Sequence, residues 1–196
     1  MQFFLCRAAA PQGRALNVFA MVVKVVIVGH SLVPREFVCD TPGVEVLVFR
    51  KPGATWEDLN VREFSGFWGQ NFDLVILMLG GNDLCLAEAY PVLCKCKEFV
   101  RAALQCANHV RVCSVESRDY DLQSRFAITT SEFNVRRRRY NRMTRRWVRR
   151  IGHLFIDIGK QRITSERTRD GVHFNEVANQ LIVRLFNRVI RGFVQS

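Results

Sequence analysis

The sequence predicts a doubly wound α/β fold, three layers in α/β/α order around a parallel sheet of five strands. Three observations carry this expectation. Short, continuous apolar runs rich in β-branched residues recur along the 196 residues, as strands covered on both faces require. Longer stretches with helical spacing separate them, and such alternation is the pattern of βαβ units. No internal repeat, low-complexity tract or linker interrupts the pattern, so residues 21–196 are expected to form one domain.

The elements follow in order. "VVKVVIV" (Val22–Val28) is the first strand and "VEVLVF" (Val44–Phe49) the second. "DLVILML" (Asp73–Leu79), "HVRVCSV" (His109–Val115) and "HLFIDI" (His153–Ile158) are the third, fourth and fifth. "TWEDLNVREF" opens with Thr55 and carries Asp58 three residues later, a helix entry resembling a capping box. "AEAYPVLCKCKEFVRAALQCA" gives a helix from about Pro91, and "VANQLIVRLFNRVI" gives the last one. Residues 1–20 have a short apolar start and an early Arg7, and are expected to be a poorly ordered leader.

Composition narrows the functional classes. No apolar run approaches the roughly 20 residues of a membrane helix. The seven cysteines are an odd number, and none forms a CxxC pair with matching histidines. Reduced, mostly buried thiols in an intracellular protein, cytoplasmic or nuclear, account for them without zinc. The net charge is +11, but nine arginines and no acid lie between Arg136 and Arg150. Removing those nine leaves only +2 for the rest, so the basicity is local.

In open α/β sheets, ligands bind beyond the carboxyl ends of the strands, and chemistry-bearing residues collect there. After the first strand comes Gly29-His30-Ser31, which resembles the nucleophile elbow of α/β-hydrolases. That family needs earlier strands and an oxyanion loop, yet 30 residues precede Ser31. Val33 also stands where the elbow's second glycine belongs. After the second strand comes "RKPGATWEDL" with Gly53, and after the third "LGGNDL" with Asn82 and Asp83. Near the carboxyl end, "RDGVHFNE" places Asp170 and His173 three residues apart.

Together these blocks resemble the SGNH/GDSL hydrolase superfamily, whose four blocks contribute Ser, Gly, Asn and His in that order. Ser31, Gly53, Asn82 and His173 match them, and the resemblance runs from about Val22 to the end of the chain. It implies a flavodoxin-like sheet and a serine esterase. The first block usually reads Gly-Asp-Ser, whereas here it is Gly29-His30-Ser31. That variant is similar to the one in SGNH domains of some eukaryotic retroelements, the Ngaro and DIRS-like group.

The chemistry implied is acyl transfer. A serine hydroxyl needs a base to take its proton, a role for His173. Asp170 could accept the other imidazole N–H and fix the tautomer. The backbone N–H groups of Ser31 and Gly53 and the Asn82 amide are candidate oxyanion donors. The substrate would be an O-acetyl or lipid acyl ester, and no cofactor or metal is required. Plainer roles exist: Ser31 as a helix cap, Gly53 and Gly80-Gly81 as turns, Asn82 and Asp83 as an N-cap pair. Asp83 is read as structural. Ser114, Ser117 and Asp119 follow the fourth strand and could line the pocket. His109 and His153 sit at the wrong end of the sheet for catalysis, and His30 is not assigned a catalytic role.

"SEFNVRRRRYNRMTRRWVRRIGH" lies where a crossover helix is expected. Phe133, Tyr140, Met143, Trp147 and Ile151 make one apolar stripe, implying a packed helix with a solvated basic face. Arg136, Arg137, Arg138, Arg139, Arg142, Arg145 and Arg146 form a candidate phosphate-binding patch for RNA, DNA or anionic lipid. The alternative to an esterase is therefore a degenerate SGNH module that binds nucleic acid through Arg136–Arg150 in a retroelement-derived protein.

Overall fold

In the computed structural model the described residues are 3–7, 22–59, 70–119, 122–123, 125–161 and 168–196. They form a six-stranded sheet with helices on both faces. The strands are β1 (Phe3–Arg7), β2 (Val23–Gly29), β3 (Val44–Arg50), β4 (Phe72–Met78), β5 (Ala107–Cys113) and β6 (Leu154–Ile156). The helices are α1 (Asp83–Leu86), α2 (Ala89–Ala103), α3 (Thr130–Arg150) and α4 (Glu176–Val194). A 3₁₀ turn over Ile158–Gln161 follows β6.

The spatial order is β1-β3-β2-β4-β5-β6. From β3 to β6 every pairing is parallel, which gives the five expected parallel strands in flavodoxin-like order. The chain steps outward from β2 to β3, then crosses to the other side of β2 to make β4. Ligands bind at such a reversal, outside the carboxyl ends of the strands.

Within residues 1–20, expected to be a poorly ordered leader, the structure describes a strand. Phe3–Arg7 pairs antiparallel with β3, Phe3 against Phe49 and Arg7 against Glu45. The physical reason is that β3 would otherwise present an unpaired row of backbone groups, which an added edge strand satisfies.

Period-two alternation divides the core into two layers. Val26, Val28, Val75, Leu77, Val110 and Val112 face α2 and α3. Val25, Ile27, Val46, Leu74 and Ile76 face α4, whose Ala178, Ile182, Phe186 and Ile190 are buried at helical spacing. The apolar stripe of α3 holds at Phe133, Tyr140, Met143 and Trp147, the last two partly buried against the core, and departs from the sequence expectation at Ile151. Phe133, Tyr140, Thr144 and Val148 are its buried residues, whereas Ile151 is exposed. Ile151 lies beyond the last helical residue, and Val148 takes the inward position one turn earlier.

At its start α3 has a full capping box between Thr129 and Glu132. The Thr55–Asp58 pair makes the same reciprocal bonds: Asp58 accepts from the Thr55 backbone at 2.9 Å, and the Asp58 backbone donates to Thr55 Oγ1 at 3.3 Å. Residues 56–59 form a turn, and most of the helix expected after them falls at 60–69, outside the described residues. Among the described residues six cysteines are free thiols, five of them buried. Among the described residues no helix is long and apolar enough to cross a membrane.

Candidate active site

Sheet register gathers the separate motifs. Gly29 pairs with Arg50 on one side and Met78 on the other, so the turns after β2, β3 and β4 open onto the same end. Gly29 must be glycine: an added Cβ would lie 2.4 Å from the Met78 carbonyl oxygen and 2.6 Å from Val33 Cγ2. The valine that departs from the elbow pattern therefore packs into the space this glycine leaves. The turn is tied down by the Val33 N–H donating to the His30 carbonyl at 3.1 Å. Arg50 adds a clamp, its Nε donating to Val33 O at 3.0 Å and its Nη2 to Ser31 O at 2.9 Å.

The Asp-x-x-His segment is a tight loop. Thr168 and Phe174 form a bridge, and the Arg169 N–H donates to the His173 carbonyl at 2.7 Å. Asp170 Oδ1 accepts the backbone N–H groups of Val172 and His173 at 3.1 and 2.7 Å. Its other oxygen lies 2.7 Å from His173 Nδ1, and His173 Nε2 lies 3.1 Å from Ser31 Oγ. Burial would raise the Asp170 pKa, but the His173 ring and backbone bonds and the Val172 N–H bring it down to about 2. The group is thus a carboxylate that can only accept. Nδ1 of His173 must then carry the proton, which leaves the Nε2 lone pair facing the serine hydroxyl.

Asn82 sits beside the turn that holds Gly53. It occupies the N-cap position of α1 but makes no side-chain cap bond. Its Oδ1 instead accepts from Arg118 Nη2 at 2.9 Å, and its Nδ2 donates to the Ala54 carbonyl at 3.0 Å. A cation on the oxygen fixes which end of the amide is nitrogen. One of the two Nδ2 hydrogens remains for a ligand. Gly53 has φ +77° with open space where a Cβ would be, so its reading as a turn residue holds. The N–H groups of Ser31 and Gly53 make no hydrogen bond among the described residues.

The other candidates have structural places. Asp83 accepts the Trp56 N–H with both oxygens at 3.2 Å, and burial lifts its pKa to about 6. Ser114 donates to Glu116 at 2.8 Å and accepts the Ile158 N–H at 2.9 Å; with Ser117 it lines a small hollow shared with His30 and Arg118, not the larger cleft that Ser31 and His173 line. The Asp119 backbone N–H donates to the Gly171 carbonyl at 3.1 Å, and Asp119 lines neither the cleft nor the hollow. His30 is buried, and its Nδ1 accepts the Leu32 N–H at 3.3 Å. Burial, then the charges of Arg118, His173 and Arg50, lower its pKa to about 3, so it stays neutral. His109 lies on β5 with its ring 5.1 Å from that of Phe193, and His153 immediately precedes β6.

Two residues escaped the sequence reading. Arg50 offered one signal, its position at the carboxyl end of β3. Arg118 offered none, being a lone arginine in a loop whose partners lie far off in sequence. It is buried, with its guanidinium 4.9 Å from the Phe133 ring centre.

Comparisons with known proteins bear on the family and the fold. The GDSL-like lipase/acylhydrolase family model matches residues 29–181. An aryl esterase from M. smegmatis is similar in structure, with a TM-score of 0.70 at 19% identity over 87% of this chain and 99% of that one. A carbohydrate acetylesterase from Sinorhizobium meliloti has a TM-score of 0.70 at 16% identity, covering 87% and 99%. A catalytic mutant of an acetylxylan esterase from Geobacillus stearothermophilus has a TM-score of 0.66 at 14% identity, covering 86% and 94%. No curated protein sequence matches the chain.

Proposed function

The chain belongs to the GDSL-like lipase/acylhydrolase family, and on that premise we propose that Ser31 is the nucleophile, His173 the general base and Asp170 the group that orients it. As a family member with the SGNH fold, the protein is a carboxylic ester hydrolase. The observation carrying the assignment is the unbroken line from Asp170 Oδ2 through the His173 ring to Ser31 Oγ, at 2.7 and 3.1 Å.

The steps follow from these atoms. Ser31 Oγ attacks the acyl carbon as its proton passes to His173 Nε2, and the carbonyl electron pair moves onto oxygen. The N–H groups of Ser31 and Gly53 and the remaining Asn82 Nδ2–H receive that oxyanion. Collapse expels the alcohol oxygen, which takes the proton from His173 and leaves an acyl-serine. Water then attacks with His173 again as base, releasing the carboxylic acid and restoring Ser31.

Two fold neighbours are described as a carbohydrate acetylesterase and an acetylxylan esterase, which supports an O-acetyl ester over a long lipid acyl chain. Purified protein is expected to cleave p-nitrophenyl acetate and to be labelled at Ser31 by a fluorophosphonate. Ser31→Ala should lower kcat by about 10⁴-fold or more without changing the circular dichroism spectrum. Full activity in that variant removes the assignment.

A second role rests on α3. Of the expected patch, Arg136 pairs with Glu88 at 2.8 Å, Arg145 with Asp157, and Arg137 is half-buried. Arg138, Arg139, Arg142, Arg146, Arg149 and Arg150 are exposed and enter no ion pair among the described residues. Arg138, Arg142, Arg146 and Arg150 follow one another at steps of about 6 Å along the helix. This row supports binding to a nucleic acid backbone. Retention of labelled RNA should fall steeply with salt, and Arg138→Gln, Arg142→Gln and Arg146→Gln should each lower the salt slope by about one unit. Unchanged retention in the triple variant counts against it.

A further inference from the structure

The cleft beside Ser31 and His173 has a volume of about 660 Å³, large enough for a whole small molecule. Its wall carries Arg35, Arg50, Arg169 and Arg184 against two acids, Glu36 and Glu176. Glu176 already accepts from the Gln180 amide at 3.1 Å. Arg50 is occupied by the carbonyls of Ser31 and Val33. Arg35, Arg169 and Arg184 are exposed, and their guanidinium groups have no ion pair among the described residues.

These three arginines reach the cleft from separate parts of the chain: the turn after β2, the loop before His173, and the third turn of α4. Like charges gathered on one wall repel and raise the local concentration of anions. Burial, and then the nearby charge of Arg35, lower the Arg50 pKa, which places two of the cations close together. The planar guanidinium fork matches carboxylate and phosphate oxygens.

The cleft's lining also tells which half of an ester it receives. Ser31 and His173 line it, and neither Gly53 nor Asn82 does. The acyl oxygen belongs on the Gly53 and Asn82 side, whereas the leaving alcohol must lie beside His173, which returns its proton. Resting on the Ser31–His173 assignment, we propose that the alcohol half of the substrate carries an oxyanion, a carboxylate or phosphate, held by Arg35, Arg169 and Arg184.

The test is equilibrium binding of intact esters to Ser31→Ala, so no turnover is required. At low salt 4-acetoxybenzoate should bind about 10-fold tighter than its neutral methyl ester. Adding Arg35→Gln, Arg169→Gln and Arg184→Gln should erase that preference. Equal binding of the two esters, or a preference that survives the three substitutions, overturns the proposal. Mono(4-methoxyphenyl) succinate carries its anion on the acyl half, and tighter binding of this ester than of 4-acetoxybenzoate overturns the alcohol-side placement. Turnover is read separately: hydrolysis by Ser31→Ala at the wild-type rate would remove the nucleophile assignment while the binding preference still decides the cleft.

Discussion

Asp170 and His173 come from one loop, meet across three residues and stand partly in solvent, their side chains 47% and 36% exposed. Asn82, in the loop after β4, is oriented by Arg118, which lies 36 residues away and is only 7% exposed. The difference follows from what each side must do. As the proposed general base, His173 would gain and lose a proton in every turnover, so contact with water costs it little and a local carboxylate suffices to hold its tautomer. As the proposed oxyanion donor, Asn82 would be a neutral group whose task is to point, and its direction is worth most when a fixed charge holds it in a medium that water does not screen. Burying that charge is expensive, and Arg118 offsets the cost with Asn82, with Cys85 Sγ at 2.8 Å and with the Phe133 ring.

Three measurements would break or sharpen this contrast. On the exposed side, Asp170→Asn keeps an acceptor for the Val172 and His173 N–H groups but no longer demands the proton on Nδ1. We expect kcat on p-nitrophenyl acetate to fall by about 10²- to 10⁴-fold, with the loop intact. A loss below tenfold would mean that the loop backbone alone positions His173.

On the buried side, Asn82→Ala should lower kcat by about 10²- to 10³-fold, and Arg118→Gln by about tenfold. The decisive reading is their combination. If Arg118 acts through Asn82, Arg118→Gln costs nothing further in kcat once Asn82 is alanine. Additive losses would assign Arg118 a separate role.

The smallest effect concerns His30. Its folded pKa of about 3 lies below the ordinary 6.5, so the unfolded chain takes up a proton that the folded one refuses. The stability this group leaves intact above pH 6.5 should therefore decline as pH falls toward 3, with a slope of at most about 1.4 kcal/mol per pH unit. His30→Asn, whose Oδ1 can replace Nδ1 as acceptor for Leu32, should flatten that decline in urea titrations. Asp170 acts in a lower window, since its depressed pKa adds stability that is lost as pH falls from about 4 through 2. An unchanged profile in His30→Asn would place the acid sensitivity elsewhere.

What could be read in the sequence was what is local. Strand positions came within a residue or two, because runs such as "KVVIVG" and "DLVILM" need no partner to be recognised. Asp170 and His173 were visible for the same reason, their spacing being their geometry. Arg118 was hidden because its contacts with Asn82 and Phe133 exist only once α1, α3 and the loop after β5 have met. The edge strand Phe3–Arg7 was hidden because nothing in five apolar-leaning residues names β3 as their neighbour. On α3 the helix and most of its stripe were clear but its end was not: Ile151 fitted the stripe numerically, yet the helix ends one residue before it.

The contact between His173 and Ser31 spans 142 positions of the chain, whereas Asp170 and His173 can pair within one loop. Closing a connection of that length is entropically costly and comes late when a sheet forms around non-local strands. The line from Asp170 through His173 to Ser31 is therefore completed only when β2, its neighbours and the last loop have all docked. Recovered esterase activity during refolding would time the arrival of the whole sheet, while helix signal returns earlier.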